Sequence, residues 1–308
     1  MAASALPTSA LLARSWHPAG RWLDIGGFGR IHVVSLPRLR QGPPAAGLGQ
    51  PEHALLLHGY MQSSWTWRHN LQALQSEFHV HAVCLPGHGW SDKPRHQSYR
   101  LALQAERVLA LLQQLGAQDC HLIGNSLGGA LALQLHLLDP RPKRRLVLVN
   151  PASQGRYPMA ALAALQHELL EPLLHLPGVR WGMGQGLRHA AYVKLAHDKE
   201  FIRQFLAPLD TPGARRAMLN VARYFNRDLA ALERRLPDIQ APVLLLWGQA
   251  DRIVPLSAVL GLERRLPDAR LELYTGSGHC PMEEEPERFN LETLAFLSAH
   301  LGAAGDSR

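Results

Sequence analysis

Cysteine is scarce in this chain. Its 308 residues include three, Cys84, Cys120 and Cys280. Their odd number and unpaired spacing exclude a disulfide framework and a cysteine metal site, and indicate a reducing compartment. Long apolar runs are also missing. No stretch reaches the roughly 18 residues of a membrane-spanning helix, and Leu11-Leu12 does not extend into a core of signal-peptide length. The expectation is a cytoplasmic protein with no integral membrane association. Acidic residues are outnumbered, 25 against 32 Lys and Arg, for a formal net charge of +7. Yet the basic residues form no stripe interleaved with aromatics, so nucleic acid is not an expected partner. The densest cluster, Arg141, Lys143, Arg144 and Arg145, runs straight into an apolar strand. Arginine elsewhere reads as solvated surface that aids solubility and attracts anions weakly.

The chain does carry a short apolar strand, Leu122-Ile-Gly-Asn125, that runs into Gly-x-Ser-x-Gly and then a helical stretch. A strand turning abruptly into a helix forces the corner residue into a cramped conformation with its side chain exposed. Small neighbours are then required, and Gly124 and Gly128 stand two positions either side of Ser126. The helix N-terminus aims free N–H groups and partial positive charge at whatever forms on that serine.

A nucleophilic serine needs a base to take its proton and an acid to orient the base. In a strand–nucleophile–helix design these follow the serine in the order acid, then histidine, each just after a later strand. Ala241-Pro-Val-Leu-Leu-Leu-Trp-Gly-Gln-Ala-Asp251 is an apolar strand with an aspartate three residues beyond its glycine. Arg270-Leu-Glu-Leu-Tyr-Thr-Gly-Ser-Gly-His279 is an alternating strand, a glycine turn and a histidine. Asp251 alone also suits an ordinary turn. Any one of the 17 histidines is more often a packing or surface residue. Place and order single out Asp251 and His279. Acyl transfer also needs N–H donors for an oxyanion. The N–H after the nucleophile, Leu127, supplies one; the turn after strand His53–Leu57, His58-Gly59, makes the N–H of Tyr60 the candidate for the other. His58 reads as a structural residue that holds this loop.

These residues resemble the α/β-hydrolase superfamily, in particular its soluble, lidded members: carboxylesterases, lipases, C–C bond hydrolases and epoxide hydrolases. The matching pieces are His58-Gly59 with Ser63-Ser64-Trp65 and Trp67, Leu85-Pro-Gly-His-Gly-Trp-Ser-Asp-Lys-Pro94, Gly124-Asn-Ser-Leu-Gly-Gly129, Trp247-Gly-Gln-Ala-Asp-Arg-Ile-Val-Pro255, and Gly278-His-Cys-Pro-Met-Glu-Glu-Glu-Pro-Glu-Arg-Phe289. They occur in family order over nearly the whole chain. The resemblance implies an α/β fold, a mostly parallel eight-stranded sheet with helices on both faces, a triad of Ser126, Asp251 and His279, and an oxyanion hole at Tyr60 and Leu127. Serine at 126, where epoxide hydrolases and haloalkane dehalogenases carry aspartate, disfavours those two chemistries. Cys84 stands where many relatives have aspartate, read as a local change in loop packing.

About ninety residues separate strand Arg145–Asn150 from the strand at Pro242, far more than an ordinary αβ connection needs. The expected organisation is a core of residues 20–151 and 238–303, a helical cap over 152–237 inserted after the sixth strand, and flexible termini at 1–19 and 304–308. Gly26-Gly27 is expected to turn an antiparallel hairpin over Trp22–Val34, and Gln41–Pro51 to be a flexible loop. Leu162, Leu165, Leu169, Leu173 and Leu176 fall at helical spacing, with Pro172 bending the run. The stripe suits packing of the cap or, alternatively, docking on lipid, although His167, Glu168 and Glu171 are not the basic residues such a surface carries. Trp181, Tyr192, Phe201, Phe205, Tyr224 and Phe225 are expected mainly to pack the cap, with some lining an acyl pocket.

The expected reaction is hydrolysis of a carboxylic ester through an acyl-enzyme, without metal or organic cofactor, on a small-molecule substrate with an apolar acyl group, by a monomer or homodimer. C–C bond hydrolysis of a vinylogous diketone, a perhydrolase side activity, and a slow-turnover ligand receptor are the alternatives. Cys280, beside the candidate base, is expected to be open to thiol modification.

Overall fold

The computed structural model describes residues 15–41, 51–153, 178, 182, 185–186, 191–195 and 197–299. Eight strands form one sheet: β1 (Gly20–Ile25), β2 (Gly29–Leu36), β3 (His53–Leu57), β4 (His79–Val83), β5 (Cys120–Asn125), β6 (Leu146–Val149), β7 (Val243–Gly248) and β8 (Ala269–Tyr274). Their spatial order is β1-β2-β4-β3-β5-β6-β7-β8. The β1–β2 hairpin and the β2–β4 pair are antiparallel, and every other pairing is parallel. The hairpin turns at Gly26-Gly27, where Gly27 has φ +75°.

The central strands are continuous apolar runs because helices cover both faces of a parallel sheet. Successive residues bury into opposite cores: Leu55 and Leu57 to one side, Ala54 and Leu56 to the other. The first core takes α2 (Leu101–Leu115), α3 (Leu127–Leu138) and α6 (Leu256–Glu263). The second takes α1 (Leu71–Gln75) and α8 (Pro286–Ser298). A short helix, α7 (Pro281–Glu284), leads into α8.

Between β6 and β7 the described part of the insert is helical, with α4 (Lys199–Leu206) and α5 (Ala214–Glu233). On α5, Ala217, Val221, Phe225, Leu229 and Leu232 recur at intervals of three or four and bury into the first core. This helix therefore shares the sheet domain's core rather than standing on it. The leucine stripe from Leu162 to Leu176, Pro172 and Trp181 lie outside the described residues, as do most of the Gln41–Pro51 loop and the outermost termini. Among the described residues, no helix is long and apolar enough to cross a membrane.

The basic cluster before β6 is partly internal. Arg144 is buried and spends its guanidinium on the carbonyls of Cys120, Asp139 and Gln118. Its charge closes off the ends of the strands and is not available at the surface.

Chain order along the sheet reverses at β3, which lies between β4 and β5. Crossovers leave the two strands in opposite directions at such a point, opening a crevice at their carboxyl ends. His58-Gly59 and Ser126 lie there.

Candidate active site

Ser126 follows β5 and precedes α3 with φ +54° and ψ −117°. An L-residue is held in such a conformation only when its surroundings over-determine it, at a cost of about 1–3 kcal/mol. The restraints are visible. The Ser126 carbonyl accepts N–H bonds from Gly129, Ala130 and Ala152 at 3.0–3.1 Å, and its own N–H donates to Val149 O at 3.0 Å. The flanking glycines are required by close approach. A Cβ on Gly124 would lie 2.3 Å from Gly128 O, and one on Gly128 would lie 2.1 Å from Leu57 O.

Asp251 ends the turn after β7, and His279 ends the turn after β8. His279 Nδ1 and Asp251 Oδ2 are 2.7 Å apart and both residues are buried. The other carboxylate oxygen accepts N–H bonds from Ile253 at 2.7 Å and Val254 at 3.0 Å. With the acid fixed by these donors, Nδ1 is the protonated ring nitrogen and Nε2 is left as the acceptor. Ser126 and His279 line one cavity. No direct hydrogen bond joins the Ser126 hydroxyl to the imidazole. Asp92, the aspartate of the Leu85–Pro94 motif, is engaged away from the imidazole: it accepts from the side chain and the backbone N–H of Arg30.

Two side chains that sequence reasoning passed over complete this frame. Asn150, at the end of β6 with φ +42°, donates to Asp251 Oδ2 at 2.7 Å and accepts from Gly248 N at 3.0 Å. Asn125, the residue before Ser126, donates to Val149 O and to His279 O. It ties the serine turn to the histidine loop. Neither amide carries a local sequence signal beyond its place at a strand's carboxyl end.

His58 is fully buried. Its Nδ1 donates to Gly59 O at 2.7 Å and its Nε2 accepts from Leu85 N at 3.0 Å. Both ring nitrogens are spent on backbone, and burial holds its pKa well below the ordinary value. Such a ring braces the loop as a neutral group. The N–H groups of Tyr60 and Leu127 donate to no acceptor among the described residues, whereas that of Gly59 is taken by Gln62 Oε1 at 2.6 Å.

Cys84 packs where Gly89 leaves space: a Cβ on Gly89 would lie 2.5 Å from its sulfur. Its neighbours are Ser64 and His32, so the cysteine does serve loop packing. Cys280 corrects an expectation. It is fully buried, and burial together with the Glu283 charge pushes its thiol pKa well above the ordinary value. A neutral, water-excluded thiol is inert toward modification.

The cavity has a volume of about 80 Å³ and is lined by Gly59, Tyr60, Met61, Gln62, Ser126, Ala191, Tyr192, Phe205, Phe225, Ile253 and His279. Tyr192, Phe205 and Phe225 come from the insert. Of the aromatics singled out there, these three face the cavity and Phe201 packs against Tyr192 behind it. The insert also binds the histidine loop, because His279 N–H donates to Ala191 O at 2.6 Å.

Residues 54–292 match the family model described as the alpha/beta hydrolase family. The chain belongs to the α/β-hydrolase family. This α/β hydrolase is 30% identical over 258 residues to a 2-hydroxy-6-oxononadienedioate/2-hydroxy-6-oxononatrienedioate hydrolase of Pseudomonas putida, covering 80% of this chain and 87% of that one. An α/β-hydrolase fold protein from Burkholderia ambifaria superposes with a TM-score of 0.73 at 26% identity, over 89% of this chain and 99% of the other. An esterase from Exiguobacterium antarcticum gives a TM-score of 0.69 at 20% identity over 91% and 100%, a likeness of fold.

Proposed function

We propose that this α/β hydrolase cleaves small carboxylic esters through an acyl-enzyme on Ser126. The observation that carries the reading is the buried His279–Asp251 contact of 2.7 Å at one wall of the cavity that Ser126 also lines. In the proposed cycle His279 Nε2 takes the Ser126 proton as the oxygen attacks the ester carbonyl. The N–H groups of Tyr60 and Leu127 receive the oxyanion. The imidazolium, stabilised by Asp251, returns the proton to the leaving alcohol, and water enters by the same steps to release the acid. The insert acts as a lid whose aromatic side chains exclude water and hold an apolar acyl group.

C–C bond hydrolysis is the second reading, favoured by the identity to the Pseudomonas putida enzyme. The substrates in that protein's name are dioates, which carry two carboxylates. Among the described residues the cavity lining contains no lysine or arginine, and this supports uncharged esters instead. The test is a panel of p-nitrophenyl esters from acetate to octanoate set against a ring-fission dienedioate. Multiple turnover on the esters and none on the dienedioate is expected; the reverse pattern overturns the ester reading.

A further inference from the structure

Gln62 lines the candidate site but belongs to none of the roles so far assigned. It is 5% exposed and makes two hydrogen bonds to one residue. Its backbone N–H donates to Gly59 O at 3.2 Å, closing the turn Gly59-Tyr60-Met61-Gln62. Its side-chain Oε1 accepts from Gly59 N–H at 2.6 Å. Inside that turn Met61 has φ +64°, a left-handed conformation that an unbranched non-glycine side chain adopts only at some cost. The space beside Gly59 is fully taken: a Cβ there would meet Gln62 Oε1 at 2.8 Å, Asn125 Oδ1 at 3.0 Å and Ser126 Cβ at 3.2 Å.

The carboxamide is itself held from behind. Gln62 Nε2 donates to Cys280 Sγ at 3.3 Å, and that thiol lies 3.5 Å from Tyr192 Oη. Tyr192 donates to Glu283 Oε2 at 3.0 Å, and Glu283 pairs with Arg68. Arg68 stacks on the Trp65 ring at 3.6 Å. A chain of buried polar groups thus runs from the turn after β3 to the residue that follows His279.

We infer that Gln62 is a positioning residue which selects the oxyanion donor: it consumes the Gly59 N–H and pins the strained Met61 turn so that the next N–H, that of Tyr60, is left for the tetrahedral intermediate. The inference rests on the serine-ester reading. Without the carboxamide the Met61 backbone relaxes, the Gly59 N–H is released into the turn, and the Tyr60 N–H loses its aim. The effect belongs to the transition state, because the Tyr60 N–H is aimed at negative charge that develops on the carbonyl oxygen only there.

The test uses the full chain with a short p-nitrophenyl ester. Gln62→Met keeps the length and removes both polar ends. Gln62→Asn keeps the amide but is a methylene too short to reach Gly59 and serves should the first variant fold poorly. Each is expected to lose about 30–100-fold in kcat with KM within about threefold, a fraction of the loss from deleting an oxyanion donor outright. Combined with Gln62→Met, Met61→Gly, which removes the strain, is expected to recover at least tenfold in kcat over Gln62→Met alone. A double variant as slow as Gln62→Met overturns the strain argument. A folded Gln62→Met or Gln62→Asn variant with kcat within threefold of wild type overturns the role. Fluorophosphonate labelling separates this from failure of the parent reading. Wild type modified at Ser126, with Gln62→Met labelled equally fast, sinks the Gln62 role alone; wild type that leaves Ser126 unlabelled sinks the ester mechanism itself.

Discussion

At the scale of single residues, the proposed chemistry depends on a serine that is strained into place and a histidine that is told which nitrogen to protonate. Ser126→Ala removes the hydroxyl from a corner secured by backbone bonds alone, so folding should survive while kcat for a short ester falls about 10⁴–10⁶-fold. Intact thermal unfolding with residual turnover near wild type would exclude Ser126 as nucleophile. Asp251→Asn keeps the shape but presents an amide N–H that can turn toward Nδ1, favouring the wrong tautomer, and should cost about 10⁴-fold. Asn150 offers a sharper test. Asn150→Ala strips one donor from Asp251 Oδ2 and leaves the Gly248 N–H unpaired, so a loss of about 1–3 kcal/mol in stability should accompany a drop of at least tenfold in kcat. Denaturant titration and steady-state kinetics on the same preparation check both. The places of Ser126, Asp251 and His279 at strand ends were legible in the chain because each follows a strand and a glycine. The contacts of Asn150 and Gln62 were not, because an amide's partners are defined only once distant strands are side by side.

At the scale of elements, the strand–helix corner and the insert govern different things. The carbonyl of Leu57 sits where a Gly128 side chain would go, so α3 approaches β3 as closely as a helix without Cβ allows. Gly128→Ala must push α3 off the sheet and should destabilise by about 3 kcal/mol or more, read as a lowered urea midpoint; an unchanged midpoint would mean that the helix shifts freely. In the proposed mechanism the insert sets substrate size instead. Phe225 lines the cavity, lies 6.4 Å from the Tyr60 ring between centroids, and comes from α5. Phe225→Ala should raise kcat/KM for hexanoate or octanoate esters relative to acetate by about tenfold, the scale of one or two buried methylenes. No change in chain-length preference would remove Phe225 from the acyl pocket. The sheet's central strands were legible as apolar runs buried on both faces. The path of α5 into the main core was not, because an amphipathic helix shows which face it buries but not against what.

At the scale of the whole molecule, buried neutral histidines link stability to pH. Burial lowers His81 and His121 to about 3 and His32 and His88 to about 4. His121 Nδ1 must stay unprotonated because it accepts from Arg145 N at 3.1 Å, and His81 is locked between Ser35 and His53. Above about pH 6.5 these groups are neutral in both the folded and unfolded chain and contribute no pH dependence. Below it the unfolded chain binds protons that the folded chain refuses, so stability falls with pH, by up to about 1.4 kcal/mol per unit for each group, until the folded pKa is reached. Four such groups should lower the melting temperature steeply between about pH 6.5 and 4.5, as followed by circular dichroism. A melting temperature that stays level across that interval would contradict the burial of these rings.

The sequence by itself determined the periodic features: strands that read as continuous apolar runs, glycines at the corner around Ser126, and the chain order of serine, aspartate and histidine. Each depends on neighbours within a few residues, where backbone sterics and hydrophobic alternation leave few choices. Only the tertiary structure decided the rest: that Asn150 clamps Asp251, that Gln62 takes the Gly59 N–H, that Cys280 is sealed from solvent, and that Tyr192, Phe205 and Phe225 meet at one cavity. Those facts depend on which side chains far apart in the chain share a few ångströms of space, and that distance is fixed by the packing of strands and helices as a whole.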